Sequence, residues 1–220
     1  MKSIALIHTV KSVAVSFDTT LKNFIGEELK VHNLWDDFLA NDPNERGAFT
    51  IENRNRLFND IKSAEMTGAD LIVVTCSTLT PVVGMICPFV KTPLIAIDDA
   101  MGRKAVTYGE RILILATAAS TREPLTDKLM AEGAKLGKKL HIDFRDNSQA
   151  FQAMKALNME RHDALLMEMA EEIRGYDCVV LAQASMAHLD QRIEAVCNIP
   201  VLSSPQLCLE QIKETLESMK

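Results

Sequence analysis

The chain carries the same strand-and-turn text twice. The first copy reads Asp70-Leu71-Ile72-Val73-Val74-Thr75-Cys76-Ser77-Thr78-Leu79, and the second reads Asp177-Cys178-Val179-Val180-Leu181-Ala182-Gln183-Ala184-Ser185-Met186. Further on, Lys91-Thr92-Pro93-Leu94-Ile95-Ala96 matches Asn198-Ile199-Pro200-Val201-Leu202-Ser203 at the same offset. Ile4-Ala5-Leu6-Ile7-His8-Thr9 matches Ile112-Leu113-Ile114-Leu115-Ala116-Thr117 at an offset one residue longer. A period of this length is far beyond the roughly 20–50 residues of solenoid repeats. It indicates a duplicated α/β domain. A site between two such halves would be pseudo-symmetric, with the symmetry broken at one position: Cys76 on one side, Gln183 on the other.

A chain of 220 residues holds two lobes of about 100 residues each, an ordinary domain size. The expected division is 1–98 with 205–220 for the first lobe and 99–204 for the second. Short apolar runs at 3–7, 70–75, 94–97, 111–116, 178–182 and 201–203 have the character of buried parallel strands. A weaker strand is expected at 29–34 and a further strand at 140–144. Residues 41–47, Asn-Asp-Pro-Asn-Glu-Arg-Gly, have the composition of a loop. A helix is expected from about Thr50 to Thr67, burying Ile51, Leu57, Phe58, Ile61 and Ala64 and stopped by Gly68. Ser120-Thr121-Arg122-Glu123 fits a capping box, with Pro124 in the first turn of a helix reaching about Gly137. Further helices are expected over 160–174, closed by Gly175, over 186–196 and over 206–219. Strands alternating with helices imply a parallel sheet in each lobe, covered on both faces. The fold class is therefore α/β, two pseudo-symmetric flavodoxin-like or Rossmann-like lobes facing each other across one cleft.

Several function classes are disfavoured. A net charge of −6 and the lack of a basic cluster or aromatic stripe argue against nucleic acid. The five cysteines form no CxxC pair, and the histidines do not fall at zinc-ligand spacings; reduced cytosolic thiols and no metal site are expected. Residues 71–90 are uncharged and about as long as a membrane span. Their threonines, serine, prolines and glycine split them instead into strand, turn and short buried helix. No signal peptide is expected, because Lys2 precedes only a short strand-like run. The reading is a cytoplasmic protein without a membrane or nucleic-acid partner; a homo-oligomer is compatible with it.

In parallel α/β sheets ligands sit beyond the carboxyl ends of the strands. That rule singles out His8-Thr9, Cys76-Ser77-Thr78, Asp98-Asp99, residues 117–121, Gln183-Ala184-Ser185 and Ser203-Ser204. Small hydroxyl residues dominate. The helix starts that follow offer backbone N–H groups and the positive end of the helix dipole, a setting for a carboxylate. Phosphate motifs of the GxGxxG or Walker type are absent.

Cys76-Ser77-Thr78 after a strand, Ala116-Thr117-Ala118-Ala119-Ser120-Thr121 in the middle, and Leu181-Ala182-Gln183-Ala184-Ser185-Met186-Ala187 near the end together resemble the aspartate/glutamate/hydantoin racemase superfamily. The similarity covers nearly the whole chain. It implies a cofactor-independent enzyme acting on the carbon next to a carboxylate of a small acid. In that family one cysteine from each lobe flanks the substrate; one thiolate takes the proton and the opposite thiol returns one. The resemblance puts the first cysteine on Cys76. Its carboxylate holders fall on Thr9, Ser77, Thr78, Thr117, Ser120, Thr121, Ala184 and Ser185. The second cysteine position is Gln183, which does not titrate near neutral pH. Decarboxylases of the same superfamily keep a single cysteine, in the other lobe. His8, where some relatives have an acid, is a candidate second proton carrier, since imidazole titrates in the needed range. Three readings follow: a racemase-like isomerase, a one-cysteine decarboxylase or lyase, and a non-catalytic small-acid binder.

Overall fold

The computed structural model describes residues 1–26 and 28–219. The chain divides into two compact units, Met1–Ile97 with Cys208–Lys220, and Asp98–Leu207. The first contains β1 (Lys2–His8), α1 (Lys11–Ile25), β2 (Leu29–Trp35), α2 (Phe38–Arg46), α3 (Ile51–Glu65), β3 (Leu71–Val74), α4 (Thr80–Ile86) and β4 (Leu94–Ala96). The second contains α5 (Asp99–Tyr108), β5 (Arg111–Ala116), α6 (Arg122–Lys135), β6 (His141–Asp146), α7 (Ser148–Lys155), α8 (Met159–Glu171), β7 (Cys178–Leu181), α9 (Asp190–Cys197) and β8 (Val201–Ser203). Helix α10 (Ser204–Ser218) begins in the second unit and continues in the first.

The sheets have one topology: β2-β1-β3-β4 and β6-β5-β7-β8. Every pairing is parallel. The central strands β3 and β7 are buried along their whole length, as continuous apolar runs in parallel sheets should be. In the first unit Ile7, Ile72, Leu57 and Ile61 pack on one face of the sheet. Ile4, Leu6 and Val73 pack on the other, with Leu21 of α1 and with Leu209 and Ile212 of α10. In the second unit, one face gathers Ile112, Ile114 and Val180 with Leu125 and Leu129 of α6. The other gathers Leu113, Leu115 and Val179 with Leu166 of α8 and Ile193 of α9.

The duplicated aspartates mark the opposite, N-terminal edge of each sheet. Asp70 Oδ2 accepts from the Ser3 backbone N–H at 2.7 Å and the Ser3 hydroxyl at 3.0 Å. Asp177 Oδ2 accepts from the N–H groups of Glu110 and Arg111 at 2.7 and 2.8 Å. Each carboxylate ties the start of one central strand to the next.

Three local expectations are corrected. Residues 41–47 are not a loop, since α2 runs to Arg46 and ends at Gly47, whose φ of 70° suits a left-handed cap. Polar side chains hold that helix: Asp36 Oδ1 accepts from Phe38 N–H at 3.2 Å, and the buried Asp42 accepts from Asn53 Nδ2 at 3.0 Å and Arg46 Nε at 2.7 Å. Ile51 is not on the buried face of α3; it is 66% exposed while Asn53 is buried. The cause is the capping box between Thr50 and Asn53, which turns the first residue of the helix outward. No capping box forms over 120–123, because a 3₁₀ turn at Ala119–Thr121 precedes α6 and Thr121 Oγ1 donates to the Ala118 carbonyl at 2.8 Å. Residues 71–90 form β3, a 3₁₀ turn, α4 and a second 3₁₀ turn. Among the described residues, no helix is long and apolar enough to cross a membrane.

Beside the end of β2, Arg56 forks onto Asp36, with Nη2 3.0 Å from Oδ1 and Nε on Oδ2. Asp60 lies one turn further along α3. Burial, then a hydrogen bond and repulsion from Asp36, push the Asp60 carboxyl up to about 7. Burial also pushes Asp36 up, but Arg56 and a protonated Asp60 outweigh it and hold Asp36 below its ordinary value. The folded state therefore keeps a proton on Asp60 that the unfolded chain releases near pH 4. Its contribution to stability is full below that pH and is lost as pH rises through about 7. Asp60→Asn keeps a donor to Asp36 and should abolish this loss, so that urea midpoints of variant and parent diverge between about pH 4 and 7 and stay apart above it.

A glycine enforces the second aspartate bracket. A Cβ on Gly109 would sit 2.1 Å from Asp177 Oδ2 and 2.4 Å from Asp177 Cβ. Gly109→Ala should expel the carboxylate from its two N–H partners and lower stability by about 1–3 kcal/mol, read as a lower urea midpoint at unchanged m-value.

Candidate active site

In the first unit the chemistry-bearing side chains emerge where β1 and β3 end. Thr75 N–H donates to the Ile7 carbonyl at 3.0 Å, extending the pairing by one residue. Cys76 then takes an extended conformation, φ −126° and ψ 117°, as the N-cap of the 3₁₀ turn Ser77–Leu79. Its carbonyl accepts from Leu79 N–H at 3.1 Å, and α4 follows. Cys76 is half-buried, as are Ser77 and Thr78. Its Sγ lies 3.0 Å from Thr78 Oγ1. A thiolate there accepts from the Thr78 hydroxyl, and a thiol can donate to it. The leading N–H groups of a helical turn lie outside its internal ladder, so this turn also points backbone donors toward the strand end.

His8 stands behind this junction, fully buried. Its Nδ1 is 2.7 Å from Thr75 Oγ1 and its Nε2 3.0 Å from Asn33 Oδ1. An amide oxygen only accepts, so the bond to Asn33 puts a proton on Nε2; the one proton of the Thr75 hydroxyl lies between Nδ1 and the Ile7 carbonyl, 3.2 Å away. Burial lowers the His8 pKa; the Asn33 bond and Asp18 oppose it without reversing it. The neutral ring contributes stability that is full above the usual imidazole value of 6.5 and is lost as pH falls below it. Both nitrogens are thus engaged within the fold. Thr9 is buried beside it.

The second unit repeats the backbone with other side chains. Ala182 N–H donates to the Leu115 carbonyl at 2.9 Å. Gln183, φ −135° and ψ 140°, is the N-cap of the 3₁₀ turn Ala184–Leu189 and accepts from Met186 N–H at 3.0 Å. Gln183, Ala184 and Ser185 match Cys76, Ser77 and Thr78 in exposure. The Gln183 amide grips Thr117 at both ends: Oε1 accepts from the Thr117 N–H at 2.7 Å, and Nε2 donates to the Thr117 hydroxyl at 2.8 Å. Thr117 and Thr121 are buried, whereas Ser120 is exposed. Ala118 repeats the extended N-cap geometry, φ −130° and ψ 127°, before its own 3₁₀ turn.

Of the remaining cysteines, Cys197 is half-buried like Cys76 but ends α9, with its Sγ 3.7 Å from the Ile199 carbonyl. Cys178 and Cys208 are buried and Cys87 is exposed; burial pushes the Cys178 thiol up to about 12. A cavity of about 160 Å³ opens at the other edge of the first sheet, lined by Lys2, Leu29 and Leu216 among others. Its lining includes no cysteine, histidine or hydroxyl side chain, and it sits away from Cys76.

Residues 38–212 match the family described as Asp/Glu/Hydantoin racemase. The chain belongs to that family. Its fold is likewise that of solved relatives of this racemase family. An aspartate racemase homologue from Pyrococcus horikoshii OT3 matches with a TM-score of 0.72 at 16% identity, over 99% of this chain and 100% of that one. A Gly-to-Cys mutant of arylmalonate decarboxylase, in a sulfate-associated form, matches with a TM-score of 0.59 at 12% identity, over 99% of this chain and 94% of that one. An uncharacterized protein of Schizosaccharomyces pombe is 24% identical over 159 residues, which is 70% of this chain and 66% of that protein's length. The chain thus spans just under two thirds of that relative.

Within this racemase-family chain the fold brings Cys76 to Thr78 and Gln183 to Thr117. Thr75 and Asn33, which fix the His8 ring, were not among the sequence candidates. Only the strand-end position of Thr75 offered a signal; Asn33 lies mid-strand in β2. The Gln183 grip generates a prediction. Gln183→Ala strands the buried Thr117 N–H and hydroxyl and should cost about 1–3 kcal/mol in urea unfolding, whereas Ser185→Ala should cost well under half of that.

Proposed function

We propose that this chain is a cofactor-independent, racemase-like enzyme acting on the carbon next to the carboxylate of a small acid, with Cys76 as the thiolate base. The observation that carries this reading is Cys76 itself: a half-buried sulfur at the N-cap of a helical turn, 3.0 Å from the Thr78 hydroxyl, in a chain of the racemase family. The thiolate takes the α-proton, and the released electron pair moves into the carboxylate, giving an enediolate. That added charge needs donors. The Ser77 and Thr78 hydroxyls, and the backbone N–H groups opening the first unit's turn, serve one part of it. Thr9, Thr117, Ser120, Thr121, Ala184 and Ser185 are the further carboxylate holders in this reading. His8 acts through Thr75 as a positioning residue for Cys76.

Gln183 supports a second reading. Its amide is spent on Thr117 and offers no proton at neutral pH. A reaction needing one proton donor fits that arrangement: loss of carbon dioxide from an α-carboxy acid gives the same enediolate, and the Cys76 thiol protonates it. In the racemase reading, water returns the proton on the second face.

Incubating the protein with small α-substituted acids in D₂O separates the readings. Exchange of the α-hydrogen with inversion, followed by NMR and chiral chromatography, is the expected result. Cys76→Ser should lower it at least about a hundredfold, the usual worth of a general base. Carbon dioxide release without exchange would establish the decarboxylase. Binding without either reaction would reduce the chain to a small-acid binder and refute the enzyme reading.

A further inference from the structure

The second unit gathers a donor cluster that the reaction does not use. His162 and Asp163 stand in the first turns of α8, and His188 closes the 3₁₀ turn that follows Gln183. Asp163 Oδ1 is 2.8 Å from His162 Nδ1 and 2.9 Å from His188 Nε2, and Asp163 Oδ2 is 3.0 Å from His188 Nε2. One donor atom from each residue lies within 4.8 Å of the others. The two imidazoles lie near parallel, 24° apart, with centroids separated by 6.2 Å.

We propose that His162, Asp163 and His188 form a divalent transition-metal site, with Zn²⁺ the best match. Two imidazole nitrogens and one carboxylate oxygen are a standard borderline donor set for this ion, and three protein ligands leave a fourth position for water. Solvent reaches the site from the His188 side, where that side chain is 47% exposed. His162 anchors the set from inside the unit. Its side chain is completely buried, and the nitrogen it turns to the cluster is Nδ1, 2.8 Å from Asp163 Oδ1. A ring held in place by burial presents that donor without a loss of side-chain freedom on binding. Ligand atoms around tetrahedral zinc stand about 3.3 Å apart, so the ion enters by opening the two contacts to Asp163 by a few tenths of an ångström and drawing in the imidazole nitrogens, which lie within 4.8 Å of each other.

The group that opposes a cation is Arg192, whose Nη1 is 3.7 Å from Asp163 Oδ2. Its side chain is 58% exposed and free to swing into solvent. In the metal-free protein it supplies counter-charge to Asp163; with the ion bound, that charge is redundant. Occupancy would pin the turn carrying Ala184 and Ser185 to α8, independently of the proposed reaction.

The test uses chelator-treated full-length protein titrated with Zn²⁺ by calorimetry, with Co²⁺ as a spectroscopic probe. Expected are one ion per chain, visible d–d absorption of a four-coordinate Co²⁺ site lacking thiolate charge transfer, and a metal-dependent rise in Tm. His188→Ala, on an exposed side chain, should weaken binding at least tenfold, and so should Asp163→Asn. Arg192→Ala should tighten it several-fold by removing the competing cation, and Cys76→Ser should leave it unchanged. No uptake by the parent protein overturns the site. So does uptake that survives His188→Ala or vanishes with Cys76→Ser, which would place the ion on thiols.

Discussion

Both units depend on one constraint, the parallel pairing of two fully buried central strands. In the first, Ile7 stands opposite Val74; in the second, Leu115 stands opposite Leu181. With no water on either face, these backbones must satisfy their polar groups within the sheet. The register this enforces brings both strands of each pair to an end together. His8 therefore meets Thr75, and Thr117 meets Gln183. The hydroxyl, thiol and amide groups at the strand ends are neighbours because the apolar runs beneath them can pair in only one way.

On this shared backbone the two units spend their polar groups differently. At the first junction the polar work is done by the layer behind the cysteine: Asn33, His8 and Thr75 form a hydrogen-bonded chain, and the sulfur in front lies against the Thr78 hydroxyl. At the second, the residue in the cysteine's place carries the load itself. Gln183 closes two hydrogen bonds on Thr117, whose N–H would otherwise be a buried donor without a partner. A side chain committed in this way is a brace. The duplication thus preserves geometry while separating the roles of reactive group and support.

The electrostatics around the first sheet pull in opposite directions with pH. Asp60 shares a proton with Asp36 and favours the fold at low pH, while the neutral His8 favours it at higher pH. Both shifts come from the same source, the burial of polar side chains near the ends of β1 and β2. The family assignment and the two-sheet fold stand apart from these details.

The amino-acid sequence by itself determined the duplication, the α/β class and the racemase-family membership. It could do so because the buried strands are unbroken apolar runs and the strand-end residues are contiguous in the chain. Local capping was only partly legible: the helix start near Thr50 was expected, its capping box with Asn53 was not. It was misleading at Ser120, where a 3₁₀ turn displaced the helix start. Helix α1 starts after Val10 without a capping side chain, and α2 is held by Asp36 and Asn53 from outside its own residues. The tertiary structure alone decided what is long-range: the Asn33–His8–Thr75 chain, the grip of Gln183 on Thr117, the proton between Asp36 and Asp60, and the meeting of His188 with His162 and Asp163. Hydrogen bonds, pKa shifts and metal chelation depend on distance in space. Only folding converts the 25 positions between Asp163 and His188 into a contact of 2.9 Å.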